Sequence, residues 1–140
     1  MDTTAANLTI AEQGHFHLDC NILSTSIRDS HLSVTWFATK TKEKHGHAGR
    51  KDVEEREVLL KVSQDSIFSR EGGLWEGRLC FQRLSAKLYR LTVLRAVATD
   101  SANYSCRVEE WLPDPRGVWY KLAEEDSGPT AVYVQDTGEV

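Results

Sequence analysis

Cys20 and Cys106 each sit in a short run that alternates apolar and polar residues, and that placement constrains the chain more than any other feature. In Phe16-His17-Leu18-Asp19-Cys20, the side chains of Phe16, Leu18 and Cys20 share one face. In Tyr104-Ser105-Cys106-Arg107-Val108, Tyr104, Cys106 and Val108 do the same. A two-residue period marks a half-buried strand. Leu32-Ser33-Val34-Thr35-Trp36, Leu91-Thr92-Val93 and Val132-Tyr133-Val134 repeat the pattern. Short alternating runs recurring along a chain predict an all-β, antiparallel sandwich. Two inward-facing cysteines in separate strands are placed to bridge its sheets, and such a bridge is worth about 2–4 kcal/mol. The third cysteine, Cys80, lies in Arg78-Leu79-Cys80-Phe81. Leu79 and Phe81 take the core positions there, so Cys80 is expected at the rim or facing outward as an unpaired thiol. No cysteine belongs to a C-x-x-C pair, so zinc-site spacing is absent.

A bridge requires an oxidising compartment, which places the chain outside the cytosol. The chain has 140 residues, 40% hydrophobic and 27% charged, with a formal net charge of −4. That is the size of one domain with a real core. It carries no basic footprint for nucleic acid or an anionic membrane surface. No run of about 18 apolar residues is present to cross a bilayer. Residues 1–6 have neither a basic nor an apolar leader region and read as a tag or linker. Residues 7–135 read as the domain, and residues 136–140 as a linker or tail.

Polar segments punctuate the strands. Thr39 to Arg56 is rich in Lys, Glu, His and Gly and reads as an exposed loop. A strand is expected at Val58 to Val62, in preference to a helix over Val53 to Val62. Leu112-Pro113-Asp114-Pro115-Arg116-Gly117 reads as a turn, because each Pro presets φ and Gly117 supplies permissive geometry. With strand signals on both sides, residues 106 to 123 form a long hairpin.

Trp36 and Tyr104 complete the pattern. Trp36 lies in the strand after Cys20, and Tyr104 lies two residues before Cys106 within Asp100-Ser101-Ala102-Asn103-Tyr104-Ser105-Cys106. The indole can fill the centre of a sandwich, and the tyrosine hydroxyl can bond back to the corner backbone with its ring in the core. D-x-A-x-Y-x-C with Leu91 and Val93 upstream resembles the V-set of the immunoglobulin superfamily, over roughly Leu8 to Val134. The resemblance implies a V-type Greek-key β-sandwich with a Cys20–Cys106 disulfide packed on Trp36. It also implies Leu91, Val93 and Tyr104 in the core, a structural ion pair between Arg78 and Asp100, and two extra strands that Val58 to Val62 and Ser66 to Phe68 could supply. The last strand departs from antigen-receptor domains: Ser127-Gly128-Pro129-Thr130 has Pro129 where their second bulge glycine stands. A narrower resemblance lies in Cys106-Arg107-Val108-Glu109-Glu110-Trp111-Leu112 followed by Asp114-Pro115-Arg116-Gly117-Val118-Trp119. It is similar to the signature of the EWI subfamily, with Leu112 in place of Ile. That likeness implies one ectodomain of a single-pass plasma-membrane glycoprotein involved in adhesion or lateral association, with tetraspanins among the parent's partners.

Function is therefore expected to be binding, with no cofactor, no metal, no small-molecule substrate and no catalytic set. Glu110, Trp111, Leu112, Trp119 and Arg107 are the candidate interface residues, on the sheet face that carries the 106–123 hairpin. Two bland readings stand beside that one. Trp111 and Trp119 can simply pair across the hairpin, and the domain can be a spacer in a tandem array. A remoter option has Arg107 gripping a sialate carboxylate, for which a guanidinium suits. Asn7-Leu8-Thr9 and Asn103-Tyr104-Ser105 are N-x-S/T sequons, so Asn7 and Asn103 are candidate glycosylation positions. His45 and His47 could hold zinc only weakly, and a solvated loop is the favoured reading.

Overall fold

A computed structural model describes residues 6–22, 31–46, 49–63, 68–70 and 75–136. Among the described residues ten strands follow in chain order: β1 (Ala6–Ala11), β2 (Phe16–Asn21), β3 (His31–Gly46), β4 (Gly49–Val62), β5 (Phe68–Arg70), β6 (Leu79–Ser85), β7 (Leu88–Val93), β8 (Ala102–Pro113), β9 (Trp119–Asp126) and β10 (Thr130–Gln135). They form two sheets. The larger has seven strands in the order β1-β10-β8-β3-β4-β5, with β9 also on β8; the smaller has the order β2-β7-β6. β1 runs parallel to β10, and the other pairs are antiparallel. This is an immunoglobulin V-type sandwich.

Alternation produces the core. β2 is strictly buried-exposed from Phe16 to Asn21, and β8 buries Tyr104, Cys106 and Val108. The Cys20–Cys106 disulfide ties β2 of the smaller sheet to β8 of the larger, with the Cα atoms 6.1 Å apart. Trp36 is the register partner of Cys106, so the indole and the disulfide sit side by side on one face. The Trp36 Nε1–H donates to the Leu18 carbonyl across the sheets at 3.2 Å, so the buried indole keeps a polar partner. Phe16, Leu91, Val93, Val132 and Val134 fill the remaining space.

A corner network closes the lower end. Asp100 ends a 3₁₀ turn (Ala98–Asp100) and is buried with Arg78. The Arg78 guanidinium donates to both carboxylate oxygens, at 2.7 and 3.0 Å. The Tyr104 hydroxyl donates to the Asp100 carbonyl. Burial, more than any neighbouring charge, pushes the Tyr104 phenol far above its ordinary pKa, so it remains a donor at any physiological pH. Trp75 lies beneath the Arg78 guanidinium, 4.9 Å from its ring centroid, and meets Tyr104 edge-on. Nothing in the alternation pattern marks Trp75, because it sits in a turn rather than a strand.

The expected loop from Thr39 to Arg56 is instead a β-hairpin. Thr39 pairs with Arg56, Lys40 with Glu55, and the ladder continues to Gly46 and Gly49. Ladder hydrogen bonds are made by backbone, so a strand pair can form without apolar alternation, and a polar sequence conceals it. A register shift beside Trp36 and Phe37 gives β4 one extra residue, which lets the consecutive Leu59 and Leu60 both be buried. Val58 to Val62 is the end of β4. The expected strand at Ser66 to Phe68 falls partly outside the described residues; β5 begins at Phe68. Ala6, read from sequence as part of a linker, opens β1 and donates its amide to the Pro129 carbonyl at 3.0 Å.

Candidate interaction face

The outer face of the seven-stranded sheet is a ladder of cross-strand rows. His31, Trp111 and Lys121 form one row; Ser33, Glu109 and Glu124 the next; Thr35, Arg107 and Asp126 the third; Phe37 and Ser105 the fourth. Neighbours in a row share a face and interact.

Arg107 is the electrostatic centre. Its Nε donates to Asp126 Oδ1 at 2.8 Å and its Nη2 to Oδ2 at 3.3 Å, with Glu124 3.5 Å away. Lys121 joins Glu124 at 2.6 Å and Glu109 at 3.4 Å. The hydrogen bond to Asp126 is the main cause of a raised Arg107 pKa, and in return it holds the Asp126 carboxyl below its ordinary value. Lys121, first, and Arg107 lower that of Glu124. The guanidinium fork that a sialate carboxylate would need is therefore engaged by Asp126 within the domain. Phe37 is covered on this face by Arg107 and Arg56, whose guanidinium carbons lie 5.4 and 4.4 Å from its centroid.

Trp111 faces away from Cys106 and Val108, is half-buried, and donates its indole N–H to Ser33 Oγ at 3.0 Å. Trp119 is not its cross-strand partner. The register sets Trp111 against Lys121 and Trp119 against Pro113, and the Trp119 ring meets His31 edge-on at 4.9 Å. Each indole is thus tied to a β3 side chain, and the cross-hairpin indole pair does not form. Glu110 corrects the sequence reading. It follows Val108 by two residues, so it continues the inward face and is only 6% exposed. Leu112 is half-buried.

The exposed apolar residues of this end were not among the candidates. Val118 is 61% and Tyr120 48% exposed. Tyr120 pairs with Leu112, past the last core residue of β8, where the face that is covered at Cys106 lies open. Residues 114–117 make the tip. The Gly117 amide donates to the Asp114 carbonyl, the Asp114 amide to the Val118 carbonyl, and Asp114 Oδ1 accepts from the amides of Arg116 and Val118. Pro115 presets the turn, and Gly117 takes φ +87°, the left-handed position that a bulged three-residue hairpin loop requires. Val118 could have been flagged from sequence, as an apolar residue beside a Pro/Gly turn; the exposure of Tyr120 depends on where the smaller sheet ends.

Elsewhere, Cys80 is exposed and unpaired on β6. His45 lies on β3 opposite Arg50, and His47 falls outside the described residues. Asn7 and Asn103 are both exposed, on β1 and β8.

Two facing sheets, a parallel first strand, an inter-sheet disulfide beside a buried tryptophan and a tyrosine bonded to its corner define a V-type immunoglobulin domain, and the chain belongs to the immunoglobulin superfamily. Within it, the chain is related to immunoglobulin superfamily member 3: the Xenopus laevis protein is 39% identical over 127 residues, 91% of this chain. Human immunoglobulin superfamily member 2 is 26% identical over 86% of the chain, and the human prostaglandin F2 receptor negative regulator 27% over 91%. The chain spans about a tenth of the length of these relatives (10%, 11% and 13%). No family model matches it. Among solved structures, a chain from a study of T cell specificity and activation by toxic shock syndrome toxin-1 superposes with TM-score 0.62 at 16% identity, covering 93% of both chains. Murine CRIg superposes with TM-score 0.56 at 15% identity, covering 90% of this chain and 91% of its own. At those identities the likeness is one of fold.

Proposed function

We propose that this domain is an extracellular recognition or scaffold module of a single-pass cell-surface glycoprotein, and that it contacts another membrane protein through the outer β3–β4–β8–β9 face and the β8–β9 hairpin. The observation that carries the reading is the pair Val118 and Tyr120, exposed at a tip that Asp114 and Gly117 hold in one shape. A rigid, solvent-facing aromatic and aliphatic pair is what an interface anchor needs, because little conformational freedom is lost on docking. Tyr120 stands on the opposite side of the β8–β9 ribbon from the salt-bridged rows around Arg107, so a partner that reaches both must wrap the hairpin end. The disulfide fits an oxidising compartment, and the relationship to immunoglobulin superfamily member 3 supports a place in a longer, multidomain parent. No nucleophile, acid–base pair or cofactor cradle is part of this reading, which is one of binding without catalysis. Adhesion or lateral association, with tetraspanins among the parent's partners, is the role the EWI-like signature suggests.

A spacer role is the second reading. It is favoured by Trp111 and Trp119, both held by the domain's own Ser33 and His31. Cross-linking capture on cells expressing the full ectodomain separates the two. Loss of a specific cross-linked membrane protein on combining Val118→Asp with Tyr120→Ser supports recognition. An unchanged capture pattern assigns the domain to spacing.

A further inference from the structure

We propose that Asn7 and Asn103 each carry an N-linked glycan, and that the two glycans converge over one groove and cover the β1–β10 end of the outer face. The proposal rests on the extracellular placement above. Its geometric basis is register. Ala131 of β10 is the partner of Asn7 on one side and of Asn103 on the other, and Asn103 is in turn the partner of Thr39. The two asparagines therefore stand in one row, on one face, two strand spacings or about 10 Å apart. Only the small Ala131 side chain lies between them. Sequons far apart in sequence become neighbours because the first strand runs parallel along the last.

Both sequons present correctly for such a row. In Asn7-Leu8-Thr9, Leu8 packs against the core while Asn7 and Thr9 are exposed. In Asn103-Tyr104-Ser105, Tyr104 is buried and Asn103 is exposed. Neither asparagine needs to leave its strand to project a sugar into solvent. The transfer forms a bond from the side-chain amide nitrogen to C1 of a lipid-pyrophosphate-linked oligosaccharide. The C1–oxygen bond breaks, the lipid pyrophosphate leaves, and the amide proton goes to a base of the transferase.

The row also has a receptor for the sugars. An open groove of about 490 Å³ is lined by Asn7, Thr9, Thr39, Lys40, Asn103 and Tyr133. Tyr133 lies two residues after Ala131 on the same face, opposite Thr9, and is 58% exposed. Its ring presents a negative π-face against which the polarised C–H edges of an N-acetylhexosamine can rest. With this end covered by sugar, protein contact is confined to the other end, from Arg107 to the hairpin tip.

The test uses the chain secreted behind a signal sequence from glycosylating eukaryotic cells. Amidase removal of N-glycans in heavy-oxygen water should convert both Asn7 and Asn103 to labelled Asp. Thr9→Ala and Ser105→Ala should each remove one glycan, and Asn103→Gln provides a second route should Ser105→Ala fold poorly. The N-acetyl methyl proton of at least one core sugar should be shifted upfield by the Tyr133 ring, and Tyr133→Ala should abolish that shift. A secreted chain with an intact Cys20–Cys106 bridge but an unlabelled Asn7 or Asn103 overturns the proposal and leaves the extracellular reading standing. Acetyl methyls at free-glycopeptide shifts overturn the convergence. A chain that is neither secreted nor bridged overturns both.

Discussion

Arg78 and Asp100 form a two-pronged ion pair at the base of the sandwich, joined at 2.7 and 3.0 Å and almost wholly out of solvent. The second prong and the Val97 amide, which donates to Asp100 Oδ2 at 2.9 Å, leave the carboxylate fully engaged. Removing one member strands the other. Arg78→Ala or Asp100→Ala should therefore lower stability by about 3–5 kcal/mol. Arg78→Lys should cost less, because charge is kept while the fork is lost. Urea midpoints, with the slope unchanged, give the comparison.

Cys20 and Cys106 close a loop with a sequence separation of 86. Reduction, or Cys20→Ser with Cys106→Ser, should cost about 2–5 kcal/mol. Peptide mapping under non-reducing conditions should find these two residues joined. The exposed Cys80 should be alkylated before any reductant is added.

The Asp126 carboxyl is held below its ordinary value by the hydrogen bond from Arg107. Its folded pKa is depressed, so the contribution of the pair is present above the unfolded value of about 3.9 and is lost as pH falls through the lower folded one. Arg107→Ala should raise the Asp126 titration midpoint toward the unfolded value. Carboxyl-carbon NMR titration reads this directly. Asp126 is nearly half exposed, so the accompanying change in stability should be small.

Gly117 tests the hairpin. A Cβ at this position would meet no atom within 4 Å, so Gly117→Ala creates no clash and opposes only the φ of +87°. The expected cost is about 1–2 kcal/mol, confined to the tip. Faster amide exchange at Arg116 and Val118, with core exchange rates unchanged, is the signature. Loss of core protection would show that the tip is coupled to the sandwich.

Trp75→Ala should be among the more damaging single changes, about 3–5 kcal/mol, because a buried indole that supports both Arg78 and Tyr104 is removed. Near-ultraviolet circular dichroism and thermal unfolding measure the loss.

What the sequence determined by itself is which way side chains face. The two-residue alternation around Cys20, Trp36 and Cys106 assigns an inward face strand by strand. The Pro115 and Gly117 pair locates the hairpin tip without reference to anything distant. These are local properties, set by pleat and by φ. Only the tertiary structure decided which strands adjoin and in what register. The Thr39–Arg56 hairpin is held by backbone ladders that its polar sequence does not announce. Glu110 is buried because the core-facing side of β8 remains covered as far as its position. Arg107 meets Asp126 because β9 returns along β8 in that register. Asn7 and Asn103 fall in one row because β1 runs parallel to β10. Pairing between distant segments rests on backbone hydrogen bonds that any residue but proline can make, so it is written in the packed fold rather than in any one stretch of residues.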